Sequence, residues 1–267
     1  MNKKLNETFA RLRGSGAKAL MPFLTCGYPD QQRFVRYVDA FVEAGADVIE
    51  IGFPHSDPLA DGPVIQVASK QAIDKGFTLK RGFELIAELT ARHQVPLVIM
   101  CYANLIRRHG YGQFIRHATK AGAAGLIVPD MIIEESRELR RLATQHNMDY
   151  INLVTPTTAA KRVAQITRVS SGFVYLVSVS GTTGMRNQVS RNLGATVKAI
   201  RETSDIPVCV GFGVSSPQMA ARMSRQVDGV IIGSALINLI DGAAGGNGIK
   251  RVSGFLSQVR KALGEAR

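Results

Sequence analysis

Asp47-Val48-Ile49-Glu50-Ile51-Gly52 is followed, beyond a Pro- and Gly-rich stretch, by Leu79–His93 at helical spacing and then by Pro96-Leu97-Val98-Ile99-Met100-Cys101. Both hexapeptides are short and apolar on both faces. That is the pattern of parallel strands covered by helices, whereas half-exposed hairpin strands alternate apolar with polar residues. The same alternation extends outward in both directions. Strands are expected at Ala19–Thr25, Asp47–Gly52, Pro96–Cys101, Gly125–Pro129, Asp149–Val154, Phe173–Ser178, Pro207–Gly211 and Gly229–Gly233. Amphipathic stretches separate them at Asp30–Ala44, Leu79–His93, Tyr111–Ala121, Glu134–Gln145, Ala159–Val169, Arg191–Glu202 and Pro217–Gln226. Eight strands, each followed by a helix, predict an α/β fold: a single (β/α)8 TIM barrel over residues 1–267, with an extra N-terminal helix.

Composition narrows the function classes. The 267 residues are 45% hydrophobic, which excludes intrinsic disorder, and no apolar run approaches the ~20 residues of a membrane span. Basic residues at Lys3 and Lys4 have no apolar segment behind them, so no secretory signal is expected. Cys26, Cys101 and Cys209 are odd in number and far apart, which argues against a disulfide framework or a structural zinc site. A reducing, cytoplasmic setting follows as the expectation, with no metal. The net charge of +12 invites a nucleic-acid reading. Yet the basic pairs (Lys3-Lys4, Arg107-Arg108, Arg140-Arg141, Lys161-Arg162, Lys250-Arg251) are scattered and carry no interleaved aromatic stripe.

In a barrel of this kind the chemistry belongs where strand C-termini meet their loops. Two of those loops, Phe53–Thr78 after strand 2 and Ser178–Ser190 after strand 6, exceed what the fold needs and are candidate lids. Glu50 lies inside the apolar strand 2, where desolvation should raise its pKa toward neutrality and suit it to proton transfer. The loop after it, Pro54-His55-Ser56-Asp57-Pro58-Leu59-Ala60-Asp61-Gly62-Pro63, offers two further acids. By spacing alone Asp57 and Asp61 fit a turn as well as they fit catalysis. Gly211-Phe212-Gly213 ends strand 7, and Gly233-Ser234 ends strand 8 into a short helix, Ala235–Ile240. Backbone N–H groups at such glycines and at a helix N-terminus form an anion site, which points to a phosphorylated substrate. Phe23, Met100, Ile127, Leu153 and Phe212 lie near strand ends and could line a flat apolar pocket, with the hydroxyls of Tyr102 and Tyr175 near its rim.

The phrase from Glu50 to Gln66 (EIGFPHSDPLADGPVIQ) closely resembles the signature of the tryptophan synthase alpha chain family. Matches in family order continue at Pro22–Thr25, Tyr102-Ala103-Asn104, Gly125–Asp130, Thr155–Thr158, Phe173–Gly184 and the two glycine pairs. The resemblance implies cleavage of indole-3-glycerol phosphate to indole and glyceraldehyde 3-phosphate, with no cofactor in this chain. It implies that Glu50 transfers the protons and that Asp61 stabilises charge on the indole ring, which promotes Asp61 over Asp57. Thr183 would hold Asp61, and Tyr175 would lie beside the glyceryl chain. Gly184, Gly213, Gly233 and Ser234 would bind phosphate, and Phe23, Met100, Ile127, Leu153 and Phe212 would hold indole. The family's partner is a PLP-dependent beta chain in an alpha-beta-beta-alpha tetramer, toward which Asp57, Pro58 and Asn104 would face.

The chain departs from the family pattern at several loop positions. His55 replaces a usual Phe, Leu105 a usual Pro, Met131-Ile132 a usual Leu-Pro and Gln71 a frequent Arg, while Arg107-Arg108-His109 follow the third strand's loop. Three of these fall in loops that the family turns toward its partner. Two alternatives therefore stand beside a partnered lyase: the same lyase working alone, and a non-catalytic barrel with a basic binding surface.

Overall fold

The computed structural model describes residues 2–177, 186–211, 213–243 and 247–265, with the backbone alone for 186–192. Parallel strands form one sheet. They are β1 (Ala19–Thr25), β2 (Ile49–Gly52), β3 (Leu97–Met100), β4 (Gly125–Ile127), β5 (Asp149–Ile151), β6 (Leu153–Val154), β7 (Val174–Val177), β8 (Val208–Gly211) and β9 (Gly229–Ile232). Their order in the sheet is β5-β4-β3-β2-β1-β9-β8-β7-β6, so the first and last strands of the chain are neighbours, in the register Ala19↔Gly229. β5 and β6 are the two halves of the expected fifth strand, broken at Asn152. The first half pairs with β4 and the second with β7, and the Tyr175 N–H donates to the Asn152 carbonyl at 3.0 Å across the break. The fifth strand thereby carries both seams, and the expected barrel is present.

The apolar reading of the strands holds at the level of side chains. All seven residues of β1 and all four of β2, β3, β8 and β9 are buried. Helices shield the outside of the sheet because β1 and its neighbours have no polar face to offer water.

Helix α1 (Lys3–Gly14), the expected extra N-terminal helix, buries Leu5, Phe9 and Leu12, and Phe9 meets Phe173 at 5.9 Å between ring centroids. Asp47, just before β2, is buried and accepts from Arg11 at 2.9 Å, from Arg260 at 2.7 Å and from the Leu20 N–H at 3.0 Å.

Helices α2 (Gln31–Glu43), α4 (Leu79–Arg92), α6 (Tyr111–Lys120), α8 (Ala160–Arg168), α10 (Pro217–Ser224) and α11 (Ser234–Asp241) match expectation within two residues, and α12 (Gly248–Glu265) closes the described chain. Others correct it. The span Phe53–Thr78 is not loop throughout, because α3 (Pro63–Asp74) fills half of it. Gly62 is its N-cap and Pro63 its first residue, where the fixed proline φ favours a helix start and the missing N–H costs nothing. A proline that the expected loop contained is here a helix initiator. A short helix α5 (Ala103–His109) precedes α6, the two separated by Gly110 at φ +87°. The helix expected from Glu134 starts as α7 at Arg137, after a turn over 133–136. α9 (Arg186–Arg201) begins inside the second candidate lid, whose remainder lies outside the described residues.

Candidate active site

β2 places Glu50 in register between Phe23 of β1 and Val98 of β3. The residue is 1% exposed, and neither carboxylate oxygen has a hydrogen-bond partner among the described residues. A buried carboxylate without donors is held in its neutral form. Burial, and secondarily the charge of Asp61, push the Glu50 carboxyl up to about 8.

The strands make room for two aromatic rings beside it. A methyl group on Gly52 would fall 2.6 Å from Cζ of Phe23, and one on Gly211 would collide with the Tyr175 hydroxyl. Glycine is needed at these strand ends for the approach of a ring. Tyr175 is buried, and its hydroxyl is held far toward the neutral form by burial first and by Glu50 and Asp61 next.

Asp61 arrives differently. Its N–H donates to the Pro58 carbonyl at 2.9 Å, closing a turn, and its own carbonyl accepts from the Gln66 side chain at 2.8 Å. Tyr102 fixes this loop from β3: its hydroxyl accepts from the Ala60 N–H at 3.0 Å and donates to the Asp61 carboxylate. Burial raises that carboxyl to about 6, against the hydrogen bond from Tyr102 and the charge of His55, which both pull it down. Two acids with separated proton affinities thus face one space.

That space is a cleft of about 640 Å³. Phe23, Met100, Ile65 and Ile231 supply apolar wall, and Glu50, Asp61 and Tyr175 the groups that can move or share a proton. The far end is formed by Gly213, Val214 and Ser215 after β8 and by Gly233, Ser234, Ala235 and Asn238 at the start of α11. Gly213 has φ +79°, and Gly233 caps α11 without a side chain, so the first N–H groups of that helix remain available to an anion.

Of the residues singled out from the sequence, Glu50, Asp61, Phe23, Met100, Tyr175, Gly213, Gly233 and Ser234 meet in this cleft. Three do not line it. Ile127 is fully buried in the barrel beside Met100, Leu153 sits on β6 opposite Tyr175, and Tyr102 stands behind Asp61. Thr183, Gly184 and Phe212 lie outside the described residues. Of the partner-facing candidates Asp57 and Asn104 are exposed, whereas Pro58 is buried. Ile65 and Asn238 escaped the sequence reading. Ile65 was hidden because α3 was taken for loop, while Asn238 follows Ser234 at i+4 and so shares its helix face, a signal that was available. Among the departures from the family pattern, Arg107, Arg108 and Ile132 are exposed, Leu105 and Met131 pack partly on the core, and Gln71 donates to the Pro29 carbonyl. The three cysteines are free and buried, and no cluster of three or more metal-ligating side chains occurs among the described residues.

A family model described as tryptophan synthase alpha chain matches residues 9–262. The chain is 41% identical over 259 residues to the tryptophan synthase alpha chain of Chloroflexus aggregans, covering 97% of this chain and 96% of that one. Tryptophan synthase subunit alpha from Legionella pneumophila str. Paris superposes with a TM-score of 0.91 at 33% identity over 99% of each chain. A chain of aminoacrylate-bound tryptophan synthase from M. tuberculosis gives 0.88 at 33% identity, over 97% of this chain and 99% of that one. With sequence likeness across nearly its whole length and the same barrel beneath it, the chain belongs to the tryptophan synthase alpha chain family.

Proposed function

We propose that this chain, acting as one catalytic unit, cleaves indole-3-glycerol phosphate to indole and D-glyceraldehyde 3-phosphate. One observation carries the reading: an unpartnered buried acid, Glu50, faces the same cleft as a backbone-built anion site some distance along its wall. A flat apolar head and a phosphate tail suit the two ends.

The steps follow from the acids. Glu50, neutral below about pH 8, donates its proton to indole carbon 3. The ring then carries positive charge, which the Asp61 carboxylate stabilises through the indole N–H. Glu50, now an anion, takes the proton of the adjacent glyceryl hydroxyl. As the carbon–carbon bond breaks, its electron pair returns to the ring, neutralising the nitrogen, and the hydroxyl carbon becomes the aldehyde. Glu50 ends protonated, as it began. The indole ring is itself the electron sink, so the step requires no cofactor in this chain. Tyr175 lies beside the glyceryl portion, and Gly213, Gly233 and Ser234 hold the phosphate, joined on the family pattern by Gly184. Thr183 would brace Asp61, and Phe212 would complete the indole pocket with Phe23 and Met100.

The test is indole release by wild type, Glu50→Gln and Asp61→Asn. Each variant should lose at least ~10²-fold, the scale of a positioned acid–base or electrostatic group. Wild-type rates in Glu50→Gln would sink the mechanism.

We further infer a cytoplasmic alpha-beta-beta-alpha assembly with a PLP-bearing beta chain that receives the indole. No described helix is long and apolar enough to cross a membrane. Leu59 and Ile132 are 84% and 55% exposed on loops after β2 and β4, and exposed Asp57, Asn104, Arg107 and Arg108 share that end of the barrel. Apolar side chains at such a rim favour a covered surface over a lyase working alone. Adding a beta chain should accelerate indole release, less so at high salt if Arg107 and Arg108 dock on acidic residues. An unchanged rate would favour the solitary enzyme.

A further inference from the structure

The loop that carries Asp61 has one feature that the chemistry above does not use. The His55 ring lies over the Tyr102 ring, with centroids 4.9 Å apart and planes 24° from parallel. Its Nδ1 accepts the Asp57 N–H at 3.1 Å. Tyr102 in turn holds the Ala60 N–H and the Asp61 carboxylate. A continuous chain of contacts therefore runs from His55 through Tyr102 to Asp61, and a second runs from His55 through the Asp57 backbone along the same loop. The family pattern has Phe at position 55, which would supply the ring face but neither the acceptor nor a charge.

We propose that His55 is a positioning residue for Asp61, holding its loop through Tyr102 and Asp57 and making that hold depend on pH. The proposal rests on the lyase reading for its effect on rate. Protonation at Nδ1 removes the acceptor for the Asp57 N–H and places a positive charge near Asp61. The titratable groups around the ring are Asp57 and Asp61 on its own loop, Tyr102 after β3 and Asp130 after β4, which bonds the Ala103 N–H at 2.9 Å and acts on Tyr102. Asp61 itself acts by charge on Glu50 of β2. Of these interactions the one that favours the ionised form of Asp61 by charge is that of His55.

Three variants separate the parts. His55→Phe keeps the stacked face without acceptor or charge. His55→Asn keeps an acceptor for the N–H two residues on, as in an Asx turn, without charge or a large face. His55→Ala keeps neither. The Asp61 carboxyl is titrated directly by carbon-13 NMR, assigned with Asp61→Asn, and kcat and KM for indole release are followed from pH 5 to 9.

Both Phe and Asn variants should titrate Asp61 higher than wild type, by about 0.3–1 pH unit for loss of one half-screened charge. The acid limb of kcat/KM should move by the same amount. His55→Ala should lower kcat about tenfold with little change in KM, and Phe should restore most of the plateau. An unmoved Asp61 titration in both uncharged variants overturns the proposal whether or not the chain is active. Absence of indole release by wild type, with the Asp61 titration still shifted, would instead reject the lyase reading and leave His55 in its positioning role.

Discussion

Asp47 and Glu50 stand three residues apart, one just before β2 and the other within it, and both are buried carboxylates, 8% and 1% exposed. Their surroundings are opposite. Asp47 meets two arginines and a backbone N–H at 2.7–3.0 Å, whereas neither oxygen of Glu50 finds a partner among the described residues. One acid ties α1 and α12 to the lower end of the barrel. The other is left with an unmatched proton affinity at the upper end. A buried acid that is fully paired holds a fold together, and one left unpaired costs stability but can exchange a proton near neutral pH.

Substitution at the two positions should therefore produce mirror-image phenotypes. Glu50→Gln is expected to lower kcat for indole release by ~10²-fold or more while leaving KM within a few-fold. The same substitution should stabilise the protein. In wild type the unfolded chain ionises Glu50 near its ordinary 4.5 and the folded chain only near 8, so native stability declines as pH rises between those values. Glutamine removes that decline. The variant should match wild type at pH 4 and exceed it at pH 8, by an amount on the order of a few kcal/mol, measured by urea denaturation.

Asp47→Asn should do the reverse. It leaves Arg11 and Arg260 without their shared anion, and because both are partly exposed the loss is set at about 2 kcal/mol, or a melting temperature lower by roughly 5 °C. The folded variant should keep wild-type kcat. If Asp47→Asn were inactive yet stable, the division between the two acids would be wrong.

A gentler test needs no substitution. Asp61 must be ionised and Glu50 protonated at the start of the reaction, so kcat/KM should rise through about pH 6 and fall through about pH 8. Each limb should approach tenfold per pH unit. A profile that keeps rising above pH 8 would mean that Glu50 enters the reaction as a base.

The contrast between Asp47 and Glu50 also marks how far the sequence could be read. Strand positions were legible because burial on both faces imposes a local apolar pattern, visible at Ala19–Thr25 without knowledge of any neighbour. The glycine pairs at the ends of β8 and β9 were legible as a candidate anion site because the groups offered there are backbone N–H donors. Helix α3 was not, since a proline fits a turn and a first helical turn equally well, and the local sequence does not decide between them. Which apolar residues touch the indole was not legible, since residues near strand ends such as Ile127 and Leu153 look alike whether they face a cleft or the filled barrel.

The sequence by itself determined the eight-fold alternation and the family, and it named Glu50 and Asp61 as the candidate acids. Only the tertiary structure decided which buried acid is paired. The partners of Asp47 come from 36 and 213 residues away, at Arg11 and Arg260, and the hydroxyl that holds Asp61 comes from another strand's end. Apolar periodicity is written in adjacent residues and survives as a local signal. The proton affinity of a carboxylate depends on which dipoles and charges the fold brings to it or keeps away, and that is a property of the folded chain.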